Sequence, residues 1–135
     1  MSKILIAWFV AGIVMMALGV GMVYGCVYVF PGIAEEYFSP VFRSAGVVDW
    51  TFYLHPFILS FGLTWFWERY KGILRGNFLL RAIEVSLVYG LVALLPILWL
   101  TFSAIDVSIE TTVTWFLYGL VQSFAAGIVL AKINP

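Results

Sequence analysis

Hydrophobic residues fall in four long runs, at about 4–30, 50–67, 82–103 and 112–131, and most of the charge lies between them or at their ends. An α-helix needs roughly 20 mostly apolar residues to cross about 30 Å of hydrocarbon. The pattern therefore predicts an all-α membrane protein with four transmembrane helices in a single domain over 1–135. Pro31-Gly32 closes the first run, because proline cannot continue a regular helix easily. Segment 31–49 mixes acids with aromatics and reads as chain at the headgroup level, with a short helix before Pro40. Asp49 is the candidate N-cap of the second run. Pro96 lies late in the third and is a candidate kink. The first run reads as a retained span: Lys3 is its only early basic residue, it exceeds a signal peptide's apolar region, and no small-x-small cleavage site follows.

The runs repeat. Val23-Tyr24-Gly25-Cys26-Val27-Tyr28-Val29-Phe30-Pro31 returns 65 residues later as Val88-Tyr89-Gly90-Leu91-Val92-Ala93-Leu94-Leu95-Pro96, with five of nine positions identical. At the same offset Ala17 meets Ala82, Trp50 meets Trp115, Tyr53 meets Tyr118 and Gly62 meets Gly127. The expectation is a two-helix unit written twice, at about 1–67 and 68–135, as parallel repeats. Small residues stand four apart on each unit: Ala17, Gly21 and Gly25; Ala82, Ser86 and Gly90; and Gly119, Ser123 and Gly127. That spacing keeps them near one helix face, where small side chains let backbones approach. Packing inside the bundle and association into a homo-oligomer are both open to these ridges.

Composition agrees with lipid as the solvent. Apolar residues make up 64% of the 135, charged residues 10%, and mean hydropathy is +1.06. Ordinary soluble domains carry about 25% charged residues. Charge then orients the chain. Lys3, Arg69, Lys71, Arg75, Arg81 and Lys132 fall on one side of a four-span arrangement and only Arg43 on the other. The positive-inside rule puts both termini in the cytoplasm, in a plasma or bacterial inner membrane. Arg69, Lys71, Arg75 and Arg81 suit anionic headgroups, whereas no nucleic-acid motif occurs. Glu35, Glu36, Asp49, Asp106 and Glu110 form the opposite, acidic rim, with Glu68 and Glu84 on the basic side. The rim is either a solvated surface or a means of concentrating cations.

Polar residues inside the runs are functional candidates because they are costly in hydrocarbon. Where the repeat halves disagree, they leave His55, Gln122 and Glu84. His55 and Gln122 lie at similar depths, about 7–8 Å and 10 Å below Trp50 and Trp115. They are expected either to face an outward-open cavity or to bond one another, a carbonyl or water. Glu84, one turn from Arg81, is either an ion-pair partner of Arg81, Arg69 or Arg75 or a proton-coupled carboxylate. Cys26, the single cysteine, reads as a packing residue. One His and one Cys cannot make a zinc site within the chain, and no nucleotide-binding or catalytic motif occurs, so no cofactor and no enzyme activity are expected.

Tyr24-Gly25, the Tyr37-Phe38-Ser39-Pro40 loop and the Trp115, Tyr118-Gly119 and Gly127 run resemble the small four-helix bacterial membrane proteins of uncharacterised function. The resemblance covers the whole chain and implies four spans. It carries no catalytic residue. The leading functional expectation is transport or channel activity for an ion, proton or small solute. The alternative is a non-catalytic membrane scaffold or subunit that binds a partner protein or lipid.

Overall fold

A computed structural model describes residues 2–42 and 50–135, and all its secondary structure is helical. The helices are α1 (Ser2–Val29), α2 (Pro31–Glu36), α3 (Trp50–Tyr70), α4 (Phe78–Tyr89), α5 (Leu95–Ala104) and α6 (Ile109–Ile133). A π-helical turn, Gly90–Leu94, joins α4 to α5. Three stretches are long and apolar enough to cross a membrane: Lys3–Val29, Phe78–Ala104 and Ile109–Ile133. The 21 residues of α3 give a length of about 31 Å. His55, Pro56, Ser60, Glu68 and Arg69 make it the least apolar of the long helices. Arg43 and Asp49 lie outside the described residues, and so does the expected N-cap.

Helix α6 is the hub. It packs antiparallel to α1 on one side and to α4 on the other, while α3 packs antiparallel along α1. The core sits toward the end holding both termini, where Ala7, Ala11, Met15, Leu63, Trp67, Val85, Ala126 and Leu130 bury one another. That end also carries Lys3, Arg69, Lys71, Arg75, Arg81 and Lys132, and is called the basic end below. Glu35, Glu36, Asp106 and Glu110 mark the acidic end.

The small-residue ridges have unequal fates. Ala82, Ser86 and Gly90 are buried against the α6 ridge of Gly119, Ser123 and Gly127. At Gly127 the helices touch backbone to backbone: an added Cβ would lie 2.9 Å from Ala82 Cα. The matching ridge on α1 differs from the internal-packing expectation. Ala17 and Gly21 are exposed, and nothing lies within 4 Å of a Cβ added at Gly21 or Gly25. Helix α1 instead turns inward the face of Ala7, Ala11, Met15 and Gly19, also four apart. Gly12 is a second close approach, where an added Cβ would meet Phe57 and Ser60 of α3.

The π turn answers the kink expected at Pro96. Proline has no N–H for the carbonyl four residues back. The backbone widens instead, and Leu95 N–H reaches the Gly90 carbonyl five residues back. Positions four apart in an α-helix drift by about 40° per step. The wide turn takes up part of that drift, so Leu94 still packs on Gly119 and Leu98 stays buried.

Candidate functional site

Polar groups in the bundle interior are used to tie helices together. Gln122 is buried on α6 and its Nε2 donates to the Met15 carbonyl of α1 at 3.1 Å and to the Tyr118 hydroxyl. Ser86 Oγ of α4 donates to the Leu120 carbonyl at 2.8 Å and lies 3.0 Å from Ser123 Oγ. On α3, Ser60 and Thr64 donate back to the carbonyls of Phe57 and Ser60. Trp8 of α1 donates to the same Phe57 carbonyl at 3.0 Å. Carbonyls that already serve a helix thus take second donors, which suits a medium without water.

His55 is not part of this set. It is exposed on α3 and makes no hydrogen bond among the described residues, so the structure does not bring it to Gln122. The reason is azimuth: equal depth puts two residues on one level, but Gln122 faces α1 while His55 faces away. Glu84 is exposed on α4 and forms no ion pair among the described residues, and the pairing expected with Arg81, Arg69 or Arg75 is not seen. Cys26 is buried beside Met22, with 3.9 Å between the sulfurs.

At the acidic end a clasp joins the α2 segment to the start of α6. Ser108 caps α6 by accepting from Thr111 N–H, and Glu36 takes the remaining donors. Its carboxylate accepts from Ser108 N–H, from Ser108 Oγ at 2.7 Å and from the Thr111 hydroxyl. A carboxylate at a helix N-terminus is further favoured by the helix dipole. Burial pushes the Glu36 carboxyl up, but the hydrogen bonds from Thr111 and Ser108 outweigh it and leave it below the usual range. Next to it, Trp115 Nε1 donates to Tyr37 Oη, and Phe42 packs on both rings. Burial raises the Tyr37 phenol above its ordinary value. Glu36 therefore leaves the expected open rim, while Glu35, Asp106 and Glu110 remain exposed and Asp49 is outside the described residues.

At the basic end a second clasp joins α3, α6 and the start of α4. Trp67, fully buried, donates to the Asn134 carbonyl at 2.8 Å. The Asn134 side chain accepts from Lys71 at 3.1 Å and donates to Glu68, which pairs with Lys71 at 3.2 Å. Arg81 lies over the Trp67 ring at 4.6 Å and donates to the Lys71 carbonyl at 3.1 Å. Its Nε is buried with no partner among the described residues. Of the expected headgroup cations, Lys71 is engaged, whereas Arg69, stacked over Trp65 at 5.6 Å, and Arg75 are exposed.

An apolar groove of about 230 Å³ runs between α3 and α4 with the π turn that follows it, lined by Leu59, Gly62, Leu63 and Phe66 on one wall and by Val85, Val88, Tyr89, Val92 and Ala93 on the other. Sequence reasoning missed both clasps and the groove. Two local signals were present: the Ser108-x-x-Thr111 spacing of a helix cap, and Gly76-Asn77, where Gly76 takes φ 93° and Asn77 caps α4. No protein-family model, no curated protein and no solved structure matches the chain. The site must be read from its own geometry.

Proposed function

We propose that the chain is a non-catalytic membrane scaffold that binds lipid or a partner protein along its outer surface. In this reading α3 is a fourth span, the halves 1–67 and 68–135 are parallel repeats, and both termini are cytoplasmic. One observation carries it: Gln122 bonds the Met15 carbonyl of α1, and Ser86 bonds the Leu120 carbonyl and the Ser123 hydroxyl of α6, so these polar groups act as glue between helices, while Ser60 and Thr64 are satisfied within α3. Antiparallel contact within both pairs, α1 with α3 and α4 with α6, supports the repeat. The charge difference between the two ends supports the orientation.

Thiol labelling tests the reading. With Cys26 replaced by serine, Ser60→Cys and Ser123→Cys in intact membranes are expected to resist a water-soluble maleimide. Rapid labelling of either would mean a wet interior and would sink the scaffold.

Transport is the second reading, and the exposed Glu35, Asp106 and Glu110 at the acidic end favour it by attracting cations. It expects proton or potassium flux from reconstituted liposomes above empty ones, reduced by Gln122→Leu. The scaffold expects flux at the empty-liposome level.

A further inference from the structure

We propose that the groove between α3 and α4 holds one acyl chain of an anionic phospholipid whose phosphate pairs with Arg81. The inference deepens the scaffold reading by naming a ligand, and it rests on the bundle lying in a membrane. Arg81 stands one turn before Val85 on the same face of α4, so it lies one turn beyond the end of the groove wall. From Val85 to Ala93 that wall is about 12 Å long, close to the roughly 15 Å of hydrocarbon in one leaflet. Lipid tails are the apolar matter that a membrane supplies at this depth.

Charge decides which lipid. Arg81 is half-buried, held by the Trp67 ring and the Lys71 carbonyl, and faces no carboxylate partner among the described residues. Of its five N–H donors, one has an acceptor. A cation withdrawn from water without a counter-ion is unfavourable, and a phosphate supplies both charge and acceptors. The surrounding charge has the same sign. Glu68 is engaged by Lys71 and Asn134, which leaves Lys3, Arg69, Arg75, Arg81 and Lys132 at this end against one remaining carboxylate side chain among the described residues, Glu84. A zwitterionic headgroup, with no net charge, would leave this excess unchanged, whereas a headgroup with net negative charge reduces it.

The experiment uses the full chain in mild detergent, titrated with phosphatidylglycerol and phosphatidylcholine of identical acyl chains and followed by native mass spectrometry. The wild-type protein is expected to retain one phosphatidylglycerol in clear preference to phosphatidylcholine. Arg81→Ala is expected to lower phosphatidylglycerol retention about tenfold, the scale of a charge-assisted hydrogen bond. Gly62→Leu fills the groove from a position where an added Cβ meets nothing within 4 Å, and is expected to fold and to lower retention of both lipids. Equal retention of the two lipids by the wild type overturns the proposal. So does unchanged phosphatidylglycerol retention in folded Arg81→Ala, or unchanged retention in Gly62→Leu, which alone decides the matter if Arg81→Ala does not fold. Maleimide labelling of Ser123→Cys is independent of these ratios, so failure of the lipid site and failure of the scaffold are distinguishable.

Discussion

Replacing Gly127 by alanine adds one methyl group where α4 and α6 meet backbone to backbone. The new Cβ would lie 2.9 Å from Ala82 Cα and 3.2 Å from the Ala82 carbonyl oxygen, both backbone atoms that cannot rotate away. Ordinary carbon contacts need about 3.5–4.0 Å, so the helices must part by roughly 0.7 Å. A radial gap of that size forfeits about a quarter to a half of each van der Waals well along the seam. The 3.0 Å contact between Ser86 and Ser123, one turn away, would stretch beyond hydrogen-bonding range. Overpacking costs about 1–3 kcal/mol and a lost interhelical hydrogen bond about 0.6 kcal/mol. Alanine's better helix propensity returns up to about 1 kcal/mol. The net expectation is destabilisation by about 2 kcal/mol. Gly21→Ala is the matched control, since an added Cβ there meets nothing within 4 Å, and it is expected to be neutral or mildly stabilising. Reversible unfolding in mixed micelles with increasing SDS, followed by far-UV circular dichroism, measures both variants. If Gly127→Ala is as stable as Gly21→Ala, the close α4–α6 seam is wrong.

Three further outcomes are expected. Glu36 has a folded pKa below its unfolded value of about 4.3, so the stability it contributes is fully present above that pH and is lost as pH falls through the folded value. Limited proteolysis of the 31–42 segment should accelerate below about pH 4, and Glu36→Gln should flatten that pH dependence. Trp67→Ala removes a fully buried ring and the donor to Asn134, and should cost about 3–5 kcal/mol in the same SDS titration. Gln122→Leu should cost only about 0.6–1.7 kcal/mol, the range for one interhelical hydrogen bond in a membrane bundle; a much larger loss would mean that Gln122 holds more than α1 and Tyr118.

Run length and polarity were enough to read long helices from the sequence, because a membrane span must be apolar along its whole length. The ridge of Ala82, Ser86 and Gly90 and that of Gly119, Ser123 and Gly127 were equally legible, since spacing by four on both helices fits one seam. The inward face of α1 was not. Ala7, Ala11, Met15 and Gly19 carry the same period as Ala17, Gly21 and Gly25, and nothing local separates them. Partners far along the chain decide it: Gln122 bonds the Met15 carbonyl, and Phe57 and Ser60 fit against Gly12. Depth suggested His55 and Gln122 as neighbours, but depth carries no azimuth. Glu36 read as a rim acid because Ser108 lies 72 residues onward. Arg81 read as a headgroup cation on charge alone, and its stacking on Trp67 needed the fold.

Pro31 and Pro96 close the two matching sequence stretches 23–31 and 88–96, yet the backbone meets them differently. At Pro31 the helix stops after Val29, and a new short helix begins with the proline in its first turn. At Pro96 the chain stays wound and only widens. Each answer fits the solvent at that point. Pro31 is followed by Gly32, Glu35 and Glu36, where water can reach a carbonyl released by the break. Pro96 is followed by Ile97, Leu98 and Trp99, where a released carbonyl would face hydrocarbon and cost several kcal/mol. The same residue type is thus a corner after α1 and an expansion joint between α4 and α5. Placing charged residues after Pro96, or apolar ones after Pro31, would exchange those roles.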